Sequence, residues 1–362
     1  MTGEAAHAGP PPLYDHTYVR LEDGSLFCVA GNQHTPTEVL GCLYYAPTSR
    51  IGDWGIPADQ APGPPRTVAP DGSPMTKIGP VVARGPARFT APLGARGVRW
   101  WPTTHLQAVA RDRITAVFDP VAALAKALTA GHGHGCPQDV LTRLVGEATS
   151  GQVPTGRLGL TGSASLHPTN LRTARDLDLV LLPPVRLATF TTAGTGYQPL
   201  ADLDTADPRR RHYLATRLSQ RAMDVSETRT VVARRRDVGW VGPVQIDLTE
   251  IAAPAPIRES WWFDQPSTGL ANQDGTIATV GDGYPFHLTL TGSDRPVLVS
   301  RRGWQGVLRP GDHIAARGPV FPDGGIPVLV VDDCPDHALH LRNQPANDDH
   351  QPHRRRSERD SA

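Results

Sequence analysis

Two aspartates, Asp176 and Asp178, open the run Asp176-Leu177-Asp178-Leu179-Val180-Leu181-Leu182, which alternates acid and apolar residues and then turns wholly apolar. The pattern predicts a strand buried on both faces along most of its length, with two carboxylates at its solvent end. Side chains alternate across a strand, so both aspartates project to the same side. Like charges held that close are unfavourable unless a cation lies between them. A divalent ion with oxygen ligands, most simply Mg²⁺, is the natural partner. Upstream, Leu158-Gly159-Leu160 reads as a short strand and Thr161-Gly162-Ser163-Ala164-Ser165 as a small-residue turn. Far downstream a third acid, Asp247, alternates with apolar residues in Val244-Gln245-Ile246-Asp247-Leu248, which again reads as strand. Asp237, on the basic stretch Arg234-Arg235-Arg236-Asp237, competes for the same role, and the alternation favours Asp247.

The Gly162-Ser163 turn, a helix-length polar segment and then Asp176-Leu177-Asp178 on a strand resemble the nucleotidyltransferase superfamily that includes DNA polymerase beta. Phe27–His34, Val39–Pro47 and Leu158–Ser163 resemble, more narrowly, a mainly archaeal group of predicted nucleotidyltransferases, and the likeness extends over most of residues 13–335. The resemblance implies that the Gly-Ser turn opens a helix whose backbone N–H groups face nucleotide phosphates. Gly162, Ser163 and Ser165 are then the nucleotide-binding residues. It implies that Asp176 and Asp178 hold two Mg²⁺ (or Mn²⁺) ions with Asp247 as the third ligand, and that these three are the catalytic residues. The activity implied is transfer of a nucleoside monophosphate from a nucleoside triphosphate to a hydroxyl on RNA, a protein or a small molecule. Arg175 departs from the pattern, because a small or polar residue is usual before the first aspartate. The alternative is a chain that keeps the fold without turnover, as a nucleotide- or nucleic-acid-binding regulatory module.

The elements that must position these residues follow from punctuation and periodicity. The expected fold class is α+β: a nucleotidyltransferase-like mixed sheet with flanking helices over 151–258, an N-terminal α/β region over 13–150, and a small OB-like β-barrel over 259–335. Residues 1–12 and 343–362 read as disordered. Tyr18–Leu21 and Leu26–Ala30 flank an Asp-Gly turn and predict a hairpin. Val121–Thr129, Gln138–Thr149 and Asp207–Arg221 predict helices. Thr228–Ala233 and Gly239–Leu248 read as paired strands across the basic connection, and Ile51–Pro74 as a long loop.

Composition narrows the class. The chain has 362 residues, 39% hydrophobic, with Gly and Pro numbering 36 each, which fits a loop-rich globular protein of several domains. Net charge is zero, against the basic excess of a non-specific nucleic-acid binder. Four scattered cysteines without CxxC spacing favour reduced thiols, and with neither a signal-peptide pattern nor a membrane-spanning run the expectation is a cytoplasmic protein. His132, His134 and Cys136 are too tightly spaced for a usual structural zinc site. The pairs Trp100-Trp101 and Trp261-Trp262 read as packing at domain junctions rather than as base-stacking platforms, His34 as a turn residue, and Arg234–Arg236 as a solvated turn or a phosphate grip.

Overall fold

Asp23 begins the tertiary structure: its carboxylate accepts from both the N–H and the hydroxyl of Ser25, and Gly24 takes a positive φ of 83°, closing the first hairpin. The computed structural model describes residues 13–32, 34–56, 67–84, 86–101, 106–129, 137–151, 153–192, 194–220, 225–251, 267–322, 326–332, 334 and 336–342. The ends at 1–12 and 343–362, the His132/His134/Cys136 cluster and Trp261-Trp262 lie outside these residues. Among the described residues no helix is long and apolar enough to cross a membrane. The protein is mixed α+β, with three sheets among the described residues.

The first sheet is antiparallel. It contains β1 (Tyr18–Leu21), β2 (Leu26–Val29), β3 (Glu38–Pro47), β4 (Thr67–Val68), β5 (Pro74–Lys77), β6 (Val98–Trp100), β7 (Gln107–Ala110) and β8 (Ile114–Phe118). Strand order is β4-β5-β3-β2-β1-β8, with β7 and then β6 added on β3. Alternation splits its faces. Val19, Leu21, Phe27 and Val29 pack under the helices α1 (Gly79–Arg84) and α2 (Pro86–Gly94), with Val82, Phe89 and Leu93. Tyr18, Leu26, Tyr45 and Met75 face the other way, onto Leu166 of the second unit.

The second unit contains α3 (Pro120–Thr129), α4 (Pro137–Ser150), β9 (Leu158–Thr161), α5 (Pro168–Thr173), β10 (Asp176–Leu181), α6 (Leu187–Thr192), β11 (Gln198–Pro199), α7 (Pro208–Gln220), α8 (Val225–Arg234), β12 (Val238–Val241) and β13 (Val244–Glu250). Its sheet runs β11-β12-β13-β10-β9, with β10 and β13 parallel and the other pairs antiparallel. The helices α3 and α4, assigned from sequence to the N-terminal region, pack Leu124, Leu141, Leu144 and Val145 into this sheet's core with Leu160, Leu177, Leu179 and Ile246. Thr228–Ala233 is not a strand but part of α8. Its β-branched residues suggested extended chain, yet Glu227, Thr228, Val231 and Val232 are the buried ones, a helical spacing serving two neighbours. Val232 packs on Trp240, and Val231 packs into the barrel. Gly239–Leu248 is itself a hairpin, turned at Gly242 with φ 60°. The stretch expected as loop over Ile51–Pro74 instead starts within a 3-10 turn (Thr48–Trp54) that buries Trp54 and ends in the β4–β5 hairpin.

The third unit contains β14 (Leu270–Val280), β15 (Phe286–Leu290), β16 (Val297–Val299), β17 (His313–Phe321), β18 (Val328–Val331) and β19 (Ala338–Arg342). Strands β14-β15-β16-β18-β17 close on β14 as a five-stranded barrel, with β16 and β18 parallel, and β19 extends it on β17. A bulge between Ile277 and Thr279 lets the long strand β14 serve both ends of the closure. Trp101 of the first unit packs with Tyr284 of the barrel, so one tryptophan of the Trp100-Trp101 pair sits at a domain junction.

A buried ion pair fastens the barrel to α8. Arg301 donates to both carboxylate oxygens of Glu227 at 2.9 and 2.7 Å and to the carbonyls of Asp332, Cys334 and His337, and Glu227 also accepts from the N–H of Leu339. Both side chains are 2% exposed. Glu227→Ala strands the guanidinium, so denaturant unfolding should show a loss of about 3–5 kcal/mol, whereas Glu227→Leu combined with Arg301→Met should recover most of it.

Candidate functional site

On β10, Leu177, Leu179 and Leu181 point into the core, which forces Asp176 and Asp178 onto the opposite face. On β13, Ile246 and Leu248 are the core residues, so Gln245, Asp247 and Thr249 lie on that same opposite face. The parallel register sets Asp178 beside Asp247. As a result Asp176, Asp178 and Asp247 each offer a carboxylate oxygen within 4.8 Å of the other two. The Gln245 amide donates to Asp247 Oδ1 at 2.9 Å and fixes that side chain.

The Gly-Ser bend reaches the same place through β9, whose Thr161 pairs with Asp178. Gly162, next in the chain, adopts φ 65° and ψ −166°, a region essentially open to glycine alone. A Cβ built on it would stand 1.9 Å from Asp178 Oδ2. The bend therefore lies against the carboxylate. The Gly162-Ser163 bend does not open a helix directly, as the resemblance implied it would. Ser163–Ser165 forms a 3-10 turn, and α5 starts only at Pro168, capped by His167, whose Nδ1 accepts from the N–H of Thr169. The cause is local: the residue before a proline is held extended, and His167 has φ −155° and ψ 144°. The Ser165 hydroxyl donates to the Gly162 carbonyl at 2.8 Å, so Ser165 serves the turn.

The electrostatics are those of crowded anions. Asp178 and Asp247 keep some exposed surface, yet their carboxylates sit among packed groups. Burial, then Asp247 and Asp176, push the Asp178 carboxyl well above the usual range. Burial pushes Asp247 up to about 6, with Asp176 adding to the rise while Arg235 and the Gln245 amide oppose it. Three hard oxygen donors that repel one another suit a divalent cation such as Mg²⁺ or Mn²⁺. Arg175, the departure noted in the sequence, is exposed and makes no ion pair among the described residues, so it leaves the acids to other partners.

Groups that the sequence did not single out surround the triad. Lys77 at the end of β5 and Arg217 on α7 both pull the Asp178 carboxyl down. Tyr18 and Tyr44, on the inward face of the first sheet, have hydroxyls pushed up by burial first and then by near groups that include Asp178. His16 is the one described non-glycine residue with positive φ, 65°. Its Nδ1 meets the Thr249 hydroxyl at 3.0 Å and its carbonyl accepts from the Thr161 hydroxyl, so it spans the strands on either side of β10. Burial, then Arg302, hold its imidazole neutral, down at about 4. The neighbouring Asp15 forms a bidentate pair with Arg302 of the barrel at 2.6 and 2.7 Å, which keeps its carboxyl down at about 2 against the opposing push of burial. Beyond His16 a cleft of about 240 Å³ opens between β13 and the barrel, and its Arg186, Arg235 and Arg302 are each paired with an acid.

The basic stretch Arg234–Arg236 is fully engaged: Arg234 with Asp312, Arg235 with Asp237 and the Tyr213 hydroxyl, Arg236 with Asp202. Each arginine of the stretch therefore has an acidic partner, with the Arg236–Asp202 pair at the surface. Asp237 is held by Arg235, which leaves Asp247 as the third acid of the cluster. His34 accepts from the N–H of Leu40 and belongs to its turn. Comparison with protein-family models, curated proteins and solved structures finds no match for this chain.

Both carboxyl shifts are upward, so the folded chain holds protons that the unfolded chain releases, and stability falls as pH rises from about 4 through about 6. In EDTA at pH 7, Asp178→Asn should therefore melt at a higher temperature than wild type, the gap closing towards pH 4. Mg²⁺ at pH 7 should raise the melting temperature of wild type and leave that of Asp178→Asn nearly unchanged. Gly162→Ala should lower stability by about 1–3 kcal/mol in denaturant titrations and weaken the Mg²⁺ response, because its methyl carbon falls on the Asp178 carboxylate.

Proposed function

We propose that this chain is a nucleotidyltransferase that moves a nucleoside monophosphate from a nucleoside triphosphate to a hydroxyl acceptor on RNA, a protein or a small molecule. The observation that carries the reading is the meeting, on one face of one sheet, of Asp176, Asp178 and Asp247 with the Gly162-Ser163 bend packed against Asp178. The order strand, bend, short helix, strand with two acids, and a third acid on the parallel neighbour supports a nucleotidyltransferase-like core. The closure of the barrel, with the fifth strand between the third and fourth, supports the OB-like reading of the third unit.

Asp176, Asp178 and Asp247 would hold Mg²⁺ or Mn²⁺, which when bound neutralises the phosphates and lowers the pKa of a hydroxyl nearby. The chain's own contribution is position and charge. The bend lies against the Asp178 carboxylate, and a polyphosphate would lie along it. The acceptor oxygen attacks the α-phosphorus in line, the bond to the bridging oxygen breaks, and pyrophosphate leaves. Asp247 takes the acceptor proton. The neutral His16 imidazole meets the Thr249 hydroxyl on the strand that carries Asp247.

A lysate of the source cell incubated with α-labelled nucleoside triphosphates and Mg²⁺ or Mn²⁺ should show label on one class of macromolecule or metabolite when wild-type protein is added. Asp176→Ala, Asp178→Ala and Asp247→Ala should each lower that labelling by about a thousandfold, the several kcal/mol that a bound divalent ion supplies, with circular dichroism unchanged. Equal labelling by the three variants rejects the assignment. No labelling from any triphosphate by wild type favours the silent binding module.

A further inference from the structure

The bend is tied to the first sheet. The Asn170 side chain, 3% exposed, accepts from the N–H of Val68 at 2.9 Å and donates to the Val68 carbonyl at 2.8 Å and to the Ser163 carbonyl at 3.0 Å. It mimics a strand neighbour to β4 while holding the bend. Leu166, just past the bend, is buried with Tyr45 and Met75 of β3 and β5. These contacts fix the β4–β5 hairpin beside the carboxylate cluster. Lys77 is the last residue of β5, opposite Tyr45 in register. Its side chain is exposed, and its ammonium stands 4.6 Å from the centre of the Tyr44 ring. Among the described residues Lys77 has no ion-pair partner. It is close enough to act on Asp178 through its field, yet the aromatic ring, rather than a carboxylate, is its direct contact.

We propose that Lys77, seated on the Tyr44 ring, is the cation that receives the polyphosphate of a nucleoside triphosphate, so that the N-terminal sheet forms one wall of the nucleotide site; this rests on the nucleotidyl-transfer reading above. A triphosphate laid along the bend, together with the three carboxylates, carries more negative charge than two divalent ions neutralise. The remaining charge needs a donor that is near but not already neutralised by an acid. Arg234, Arg235 and Arg236 are each spent on a carboxylate, whereas Lys77 and Arg175 are not, and of those two Lys77 is the one whose field acts most on Asp178. A compact ammonium suits phosphate oxygens as a point charge. The ring beneath it restrains the side chain without cancelling its charge.

Titration calorimetry of the full chain with each of the four ribonucleoside triphosphates and with tripolyphosphate, all in excess MgCl₂, tests the inference. Lys77→Met should weaken the preferred nucleotide and tripolyphosphate by about tenfold or more, the loss of one hydrogen bond to a charged group, and Lys77→Arg should retain most of the affinity. Unchanged melting temperatures establish that both variants fold, as expected of an exposed strand end. Equal affinities of wild type and Lys77→Met overturn the role of Lys77 and leave the nucleotide reading standing. Failure of wild type to bind any of the four nucleotides overturns the nucleotidyl-transfer reading, and the role of Lys77 with it.

Discussion

The mutual repulsion of three carboxylates sets the terms for the rest of this molecule. Asp176, Asp178 and Asp247 would separate if their strands were free to slide or twist. They stay together because Leu177, Leu179, Ile246 and Leu248 are committed to the core on the other face. A slip of one residue would invert every side chain of the strand, so the apolar burial holds the anions in place. Burial first, and then the neighbouring acids, raise the carboxyls of Asp178 and Asp247, and a divalent cation relieves that crowding.

Around that cluster polar fasteners join the three units beside apolar contacts such as Leu166 with Met75, Trp101 with Tyr284 and Val231 in the barrel core. Asn170 joins the bend to the first sheet. His16 spans Thr161 and Thr249, and its neighbour Asp15 grips Arg302 of the barrel. Arg301 and Glu227 lock the barrel to α8. Directional contacts of this sort specify relative placement, which apolar packing alone does loosely. On the nucleotidyl-transfer reading this arrangement matters because reaction in line tolerates little misplacement. The first sheet brings Lys77 and Tyr44, the second the acids and bend, and the barrel steadies the chain through Asp15 and His16.

Much of the core was legible in the order of residues. The alternation in Asp176–Leu182 and in Val244–Leu248 required both strands to show one face to the core, and that placed all three acids on the other. The Asp-Gly hairpin and the helices α3, α4 and α7 followed from turn chemistry and helical spacing. Other stretches were misread where local preference met tertiary demand. Thr228–Ala233 has strand-forming residues but lies between β12 and the barrel, where a helix offers a buried side to each. The helix expected directly after Ser163 is delayed to Pro168 because His167 must stay extended before proline.

What the sequence determined by itself was the identity of the acids and the glycine, because those rest on periods of two and on backbone conformations that few residues adopt. Which cations and rings stand over them was decided by tertiary structure alone. Lys77, Tyr44, His16 and Arg217 come from separate elements. No local rule relates them, since their approach depends on how the first sheet docks on the second and on side-chain contacts between units far apart in the chain.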